Sequence, residues 1–433
     1  MKKTISIFFL TAALMITSCN QEYLNPSSAS QQQVVSDVNG LIALANGLQY
    51  KYTISRLSPG YTVPSVDGLL AKYLIVLNAG NTDELLLSQG NAAVVGSNSL
   101  VTNLWNQSLL VKSNAELILN NLAIVTDQGT KGALYAHAAI FKALALGNLA
   151  TYWKSAPTVT EKSAVFADRV VVLNEAIALL EGAVVELAKA PISSTFSARI
   201  VSGIDYPNTL NALIARYALM AGQYDKALAA ANLVNLGVAV KSGFSHDDLT
   251  RNTMFDNTFG NKNVTEPPDA LFTLPAALQT SPSDGRIAFF FNPAASATIN
   301  RARASFFQAN TTTVPIYRGG EITLIKAECN VRKPTTDLVA ARAQLNIVLQ
   351  KTAAQDAWGI GANLPPYAGA GLPADLLDEI YKQRCIELYL TGLRIDDMRR
   401  FGRPVAERGR DYLPYPFTER DNNPANTPAD PTF

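Results

Sequence analysis

Apolar residues recur at three- and four-residue spacing over most of the chain, and two long stretches break that rhythm. The spacing predicts a helix over 34–54. Trp105 to Val125 reads as an amphipathic helix through Leu109, Leu110, Ile118 and Leu122. Lys131 to Trp153 is rich in Ala and Leu, the composition of a helix that packs close to its neighbours. Val170 to Ala190 reads as its return helix, stopped by Pro191. Helices resume at Arg318 and pair with a segment carrying Ala340 and Leu345, so a further hairpin is expected over 318–350. A last pair is expected over 374–402. The first interruption, 58–98, is punctuated by Pro59, Gly60, Pro64, Gly68, Gly80, Gly90 and Gly96, and reads as mostly loop with short helices. The second, 237–315, is polar with scattered phenylalanines and reads as an irregular insertion in two pieces around Pro267-Pro268. Asp356 to Pro373 is a Gly/Pro-rich loop carrying Trp358 and Tyr367.

The segment 209–236 adds a repeat signal. A small-residue helix runs into Gly222-Gln223-Tyr224-Asp225, and a second helix follows with Ala227. This is the tetratricopeptide turn pattern, in which glycine permits the reversal and alanine permits close helix approach. The fold class expected is therefore mainly all-α, with repeat-like helical pairs near 100–190, 209–236, 318–350 and 374–402.

The stretch Leu376 to Pro404 combines an apolar stripe (Leu377, Tyr381, Cys385, Leu388) with many charges. Arg384 and Glu387, three apart, are placed to pair. Gly392 is expected to end the helix. A short second helix then carries Asp396, Asp397, Arg399 and Arg400. Charges beside a core need partners, so these two helices read as a docking element.

Composition narrows the function. The chain has 433 residues, 48% hydrophobic and 16% charged, enough for a large core. A net charge of +1 gives no global pull towards nucleic acid, and none is expected as a partner. Lys2 and Lys3 precede an apolar run from Ile5 to Ile16, which leads into Ile16-Thr17-Ser18-Cys19. That is a bacterial lipobox: residues 1–18 read as a signal peptide, Cys19 as the lipidated first residue, and 19–33 as a polar tether. The remainder, 34–433, reads as a single domain with no later membrane-spanning run. Of three cysteines, Cys329 and Cys385 remain, either as two buried thiols or as a disulfide. The histidines, His137 and His246, are isolated, so neither a metal nor a cofactor is expected.

The order Arg384-x-x-Glu387-Leu388, Gly392-x-Arg394, Asp397-x-Arg399-Arg400-x-Gly402 is similar to the C-terminal signature of the SusD/RagB family of nutrient-binding outer-membrane lipoproteins. Gln383 and Thr391 stand where that family usually has glutamates, and Leu393 where it often has histidine. Further matches run in family order: Cys19-x-x-x-Tyr23-Leu24-Asn25-Pro26, the segment ending Trp153-x-x-x-Pro157, Arg318-x-x-Glu321-x-x-Leu324-x-x-Ala327-Glu328, and Pro414-x-Pro416-x-x-Glu419-x-x-x-Asn423-Pro424. The Pro-x-Pro tail should lie extended against the body. The resemblance implies a tetratricopeptide-like scaffold with an irregular, loop-rich ligand face. It implies a cell-surface lipoprotein that caps a TonB-dependent outer-membrane transporter and binds an oligosaccharide. Peptide or another nutrient is the runner-up ligand.

Catalysis is not expected, since no nucleophile elbow, phosphate loop, zinc-protease motif or dinucleotide fingerprint is present. Asp396-Asp397 would be a poor glycosidase pair, because neighbours on a helix point apart. A protein-binding repeat scaffold and an anchored hydrolase are the alternatives. Sugar sites combine aromatic faces with Asp, Asn and Arg. Trp105 and Trp153 fall on helices and belong to the core. Trp358 and Tyr367, in a loop, are candidate ligand contacts. Tyr61, Asp67, Asn81 and Asp83 are candidates in the long N-terminal loop, which lines the site in the family.

Overall fold

Side-chain caps set where the helices start. Asp37 accepts backbone N–H groups of Asn39 and Gly40, Asn98 those of Leu100 and Val101, and Asp127 that of Thr130. Asp168, Asp205 and Asp337 do the same for Val170, Asn208 and Ala340. Each satisfies donors that the first helical turn would leave orphaned. The computed structural model describes residues 31–292 and 305–432. The leader, Cys19 and most of the tether lie outside the described residues.

The described chain is mainly helical. Twelve helices carry the body: α1 Val38–Thr53, α2 Pro59–Leu70, α3 Thr82–Gln89, α4 Ser99–Asn120, α5 Gln128–Tyr152, α6 Arg169–Leu187, α7 Tyr206–Met220, α8 Tyr224–Asn232, α9 Gly319–Arg332, α10 Leu338–Gln350, α11 Pro373–Glu387 and α12 Arg394–Arg400. Packing runs α4 on α5, α5 on α6, α6 on α7, α7 on α8, and α8 on α9; α9 then packs on both α10 and α11. Short antiparallel ladders tie the loops down. Ile75–Val76 pairs with Thr265–Glu266, and Gly243–Phe244 pairs with Val314–Pro315, closing the two ends of the insertion on each other.

At the α7–α8 turn Gly222 has φ +75°. The N–H of Gln223 reaches the Ala218 carbonyl at 2.8 Å, and that of Gly222 the Leu219 carbonyl at 3.0 Å. These two bonds satisfy the last carbonyls of α7 and require a left-handed residue between them. Ala227 is fully buried against the neighbouring helices.

Several expectations are corrected. The short helices expected within 58–98 are α2 and α3, and they take up more of the stretch than the mostly loop reading allowed. Pro59 opens α2 at its first position, where a missing N–H costs nothing. Helix α4 starts at Ser99, earlier than Trp105, because Asn98 caps it. Helix α5 is long and apolar enough by composition to cross a membrane, but it is the buried centre of the fold. The insertion's phenylalanines are not spread over a ligand face. Phe272, Phe290 and Phe291 pack edge-on against Tyr389, with ring centroids 5.2–5.5 Å away. Helix α11 ends at Glu387, before Gly392, which serves close approach instead. A Cβ on Gly392 would lie 2.1 Å from Val63, and its φ is +82°. Cys329 and Cys385 are buried free thiols, with burial pushing the Cys329 thiol up to about 12.

Arg384 and Glu387 do not pair with each other. Arg384 donates to Asp397 at 2.9 Å, whereas Glu387 meets Arg286 at 3.1 Å and Lys351 at 3.4 Å. Arg400 is the hub of α12, meeting Glu328 at 2.8 Å, Asp396 at 2.7 Å and Asp397 at 2.6 Å. Asp396 also holds Arg169 at 2.6 Å, so α6, α9, α11 and α12 share one network. The tail lies against the body, as expected. Trp153 donates to the Pro414 carbonyl at 3.0 Å, and Trp105 to Glu419 at 3.1 Å.

Candidate functional site

Two of the residues singled out from sequence meet in a polar groove of about 420 Å³. Three elements build it. The turn after α1 supplies Arg56 and Leu57; the start of α3 supplies Asn81, Thr82, Asp83 and Glu84; the first turns of α4 supply Ser99 and Asn103. Asn98 joins the latter two, since its side-chain N–H donates to the Asp83 carbonyl at 2.9 Å while its oxygen caps α4. Asp83 and Glu84 sit in the first turn of α3, where the helix dipole favours acids.

Under the groove, buried Glu84 accepts from the Tyr61 hydroxyl at 3.0 Å and pairs with Arg56. The exposed Arg56 guanidinium also reaches the Asn81 side-chain oxygen at 3.4 Å. Asp83 accepts from the Ser99 hydroxyl and is half-buried. A guanidinium, a carboxylate, two amides and hydroxyls thus face one open channel, with Leu57 exposed at its edge. These groups offer both donors and acceptors to a polyhydroxylated ligand. No member of this set is a metal cage or a nucleophile–base pair.

Tyr61 and Asp67 are corrected as ligand contacts. Tyr61 is 1% exposed, and burial together with the Glu84 charge pushes its phenol up to about 12, so its ring cannot act as a stacking platform. Asp67 is fully buried. It accepts from Tyr73 at 2.6 Å and from the backbone N–H groups of Ile395 at 3.0 Å and Arg394 at 3.3 Å. It caps α12 from a distant helix. Burial pushes its carboxyl up to about 6, against the lowering effect of those donors.

Trp358 and Tyr367 lie outside the groove. Trp358 is half-buried, edge-on to Phe306 at 5.8 Å with Lys241 over its face at 5.3 Å. It lines a separate cavity of about 90 Å³ with Asn235, Lys351 and Gln355. Tyr367 packs under Arg342 at 5.4 Å, beside α10. Asp396 and Asp397 are consumed by ion pairs with arginines. Sequence reasoning missed Arg56, Ser99 and Asn103. The Asn98 cap signal could have brought Ser99 and Asn103 onto a helix start, but nothing local places them beside Asn81.

Comparison with known proteins adds the family dimension. The model of the SusD family matches residues 300–430. No curated protein matches the chain. Among solved structures, a SusD-like carbohydrate-binding protein from Bacteroides fragilis is similar at 14% identity, covering 91% of this chain and 100% of its own, with a TM-score of 0.68. A SusD superfamily protein from Bacteroides vulgatus is similar at 17% identity, covering 91% and 99%, with a TM-score of 0.67. A laminarin-binding SusD-like protein is similar at 15% identity, covering 92% and 99%, with a TM-score of 0.64. At these identities the likeness establishes the fold.

Proposed function

We propose that this divergent member of the SusD/RagB family is a lipid-anchored outer-membrane protein that binds a glycan without hydrolysing it. In this reading it hands the glycan to a TonB-dependent transporter that it caps as a lid. The observation that carries the binding role is the groove itself. Arg56, Asn81, Asp83 and Asn103 converge from three elements on a fold that a carbohydrate-binding and a laminarin-binding protein share. The lipobox at Cys19 supports the anchor. Polar groups without a reacting pair support binding over turnover.

An open groove that contacts a few sugar rings should bind in the range of roughly micromolar to millimolar, or about −8 to −4 kcal/mol. Calorimetry of the purified protein against laminarin, a panel of other glycans and a peptide panel tests the reading. Asn81→Ala combined with Asp83→Asn should raise Kd at least about tenfold, the loss of one good polar contact. Binding confined to peptides would remove the glycan assignment. Released sugar that tracks the pure protein would remove the non-enzymatic one. Absence of any co-purifying barrel protein in mild detergent would count against the lid.

A further inference from the structure

Among the described residues, the charged side chains that line the polar groove are Arg56, Asp83 and Glu84. They differ in what they have left to offer a ligand. Glu84 is buried and committed to Arg56 and to the Tyr61 hydroxyl. The Arg56 charge is met by that same carboxylate, and its guanidinium also reaches the Asn81 side chain. Asp83 has no cation beside it among the described residues. Its Oδ2 accepts from the Ser99 hydroxyl in an exposed bond, and its Oδ1 accepts from no described residue. An ionised carboxylate has about four acceptor sites, so most of its capacity is unused.

The groove therefore carries one carboxylate in excess. The helix starts do not reverse this. The first N–H groups of α4 are taken by Asn98, and the short helix α3 has Glu84 as well as Asp83 in its first turn. The uncharged neighbours of Asp83 suit a hydroxylated ring. Asn103 lines the same space and is half-buried. Its amide makes no hydrogen bond among the described residues, so it has donors and an acceptor to offer. An acidic sugar would find Arg56 already neutralised and Asp83 repelling it. A sugar bearing an ammonium would find a charge-assisted acceptor, roughly twice as strong as a neutral hydrogen bond.

We propose that the groove selects its glycan by charge: it takes an amino sugar, whose ammonium pairs with Asp83, in preference to a neutral sugar, and it rejects uronates. This rests on the glycan reading of the groove and names the substrate class within it. Asp83 sets the specificity, while Asn81 and Asn103 serve the uncharged parts of the ring.

Calorimetry of the purified mature protein tests this with cellotriose and with the glucosamine and glucuronic acid trisaccharides of the same linkage, at a pH where the amines are charged. The glucosamine form should bind about tenfold tighter than cellotriose, and the glucuronate form at least about fivefold weaker. Raising salt should shrink both differences, since exposed charges are screened. Asp83→Asn keeps an acceptor for Ser99 but removes the charge, and should bring the glucosamine and glucose forms within about twofold of each other. Should that variant fail to fold, the salt dependence of the parent decides. Trilysine carries ammonium groups without a sugar ring and should bind at least about tenfold more weakly than the glucosamine form; equal affinity would overturn the sugar assignment. A glucosamine form bound no tighter than cellotriose, a preference that salt leaves unchanged, or one that survives in Asp83→Asn would overturn the proposal. If laminarin or another glycan binds and the glucosamine form does not, charge selection fails and the glycan reading stands. If no glycan binds, both fail.

Discussion

Glu328 offers the sharpest test of how the C-terminal signature works. Its carboxylate is fully buried and accepts from Arg332 at 2.8 Å and from Arg400 at 2.8 and 3.1 Å, with Arg384 4.0 Å away. Burial alone would raise its pKa, yet the arginines, Arg400 foremost, hold it below the ordinary glutamate value. Glu328→Gln keeps the shape but turns one acceptor into a donor facing guanidinium groups. Breaking one side of a buried ionic cluster costs roughly 3–5 kcal/mol. With roughly 2.1 cal/mol/K of unfolding entropy per residue, about 400 folded residues convert that into a Tm drop of roughly 4–6 °C. Calorimetry or circular-dichroism melts measure it. A cycle with Arg400→Gln adds the coupling, expected above about 1 kcal/mol because the two groups touch. The network would be ornamental, and this reasoning refuted, if Glu328→Gln melted within a degree of the parent or the two changes simply added.

Gly222→Val should cost on the order of 1–3 kcal/mol, since φ +75° excludes a β-branched residue although the space around it is open, and thermal melts read the loss. His137 is fully buried, with ring nitrogens 2.9 Å from the Ala45 carbonyl and 3.0 Å from the Tyr206 hydroxyl, and burial lowers it to about 4 against the opposing Ala45 bond. The unfolded chain therefore takes up this proton first. His137 should cost about 3 kcal/mol as pH falls from about 6.5 to about 4, and a His137→Gln variant should show a shallower acid limb in denaturant titrations. Cys19→Ala should move the protein from membrane to soluble fractions; sedimentation with outer membrane in a strain lacking the transporter would exclude the lipid anchor.

Helical periodicity carried most of the fold, because α4 and α6 to α11 each bury a face that local spacing reveals, while α5 is buried nearly all round and was legible by its Ala/Leu composition. Proline and glycine misled at 58–98, since Pro59 starts α2 where it was expected to break the chain. Ion-pair choice was not legible. Arg384 and Glu387 are neighbours on one helix, but each is drawn to a different element, Asp397 on one side and Arg286 on the other. The phenylalanines of the insertion turned inward because a segment without regular helices must still bury apolar surface to be held. For the site, Asn81 and Asp83 were readable as polar residues near a turn. Arg56, Ser99 and Asn103 join them only through packing of distant segments, which no local pattern encodes.

The position of α2 ties scaffold and ligand features together. Arg56 and Leu57, just before it, line the groove, and Pro59 and Gly60, in its first turn, line a cavity of about 100 Å³ between the helical body and the insertion. At its other end Asp67 caps α12, the helix whose Asp396, Asp397 and Arg400 enter the ion-pair network. A short helix held at its C-terminal half by several charge-assisted bonds keeps its first turn in register with the groove and the cavity beside it. This accounts for burying an acid such as Asp67 despite the raised pKa that burial imposes. The C-terminal signature thus holds the turn that precedes α2 in place without itself lining the groove.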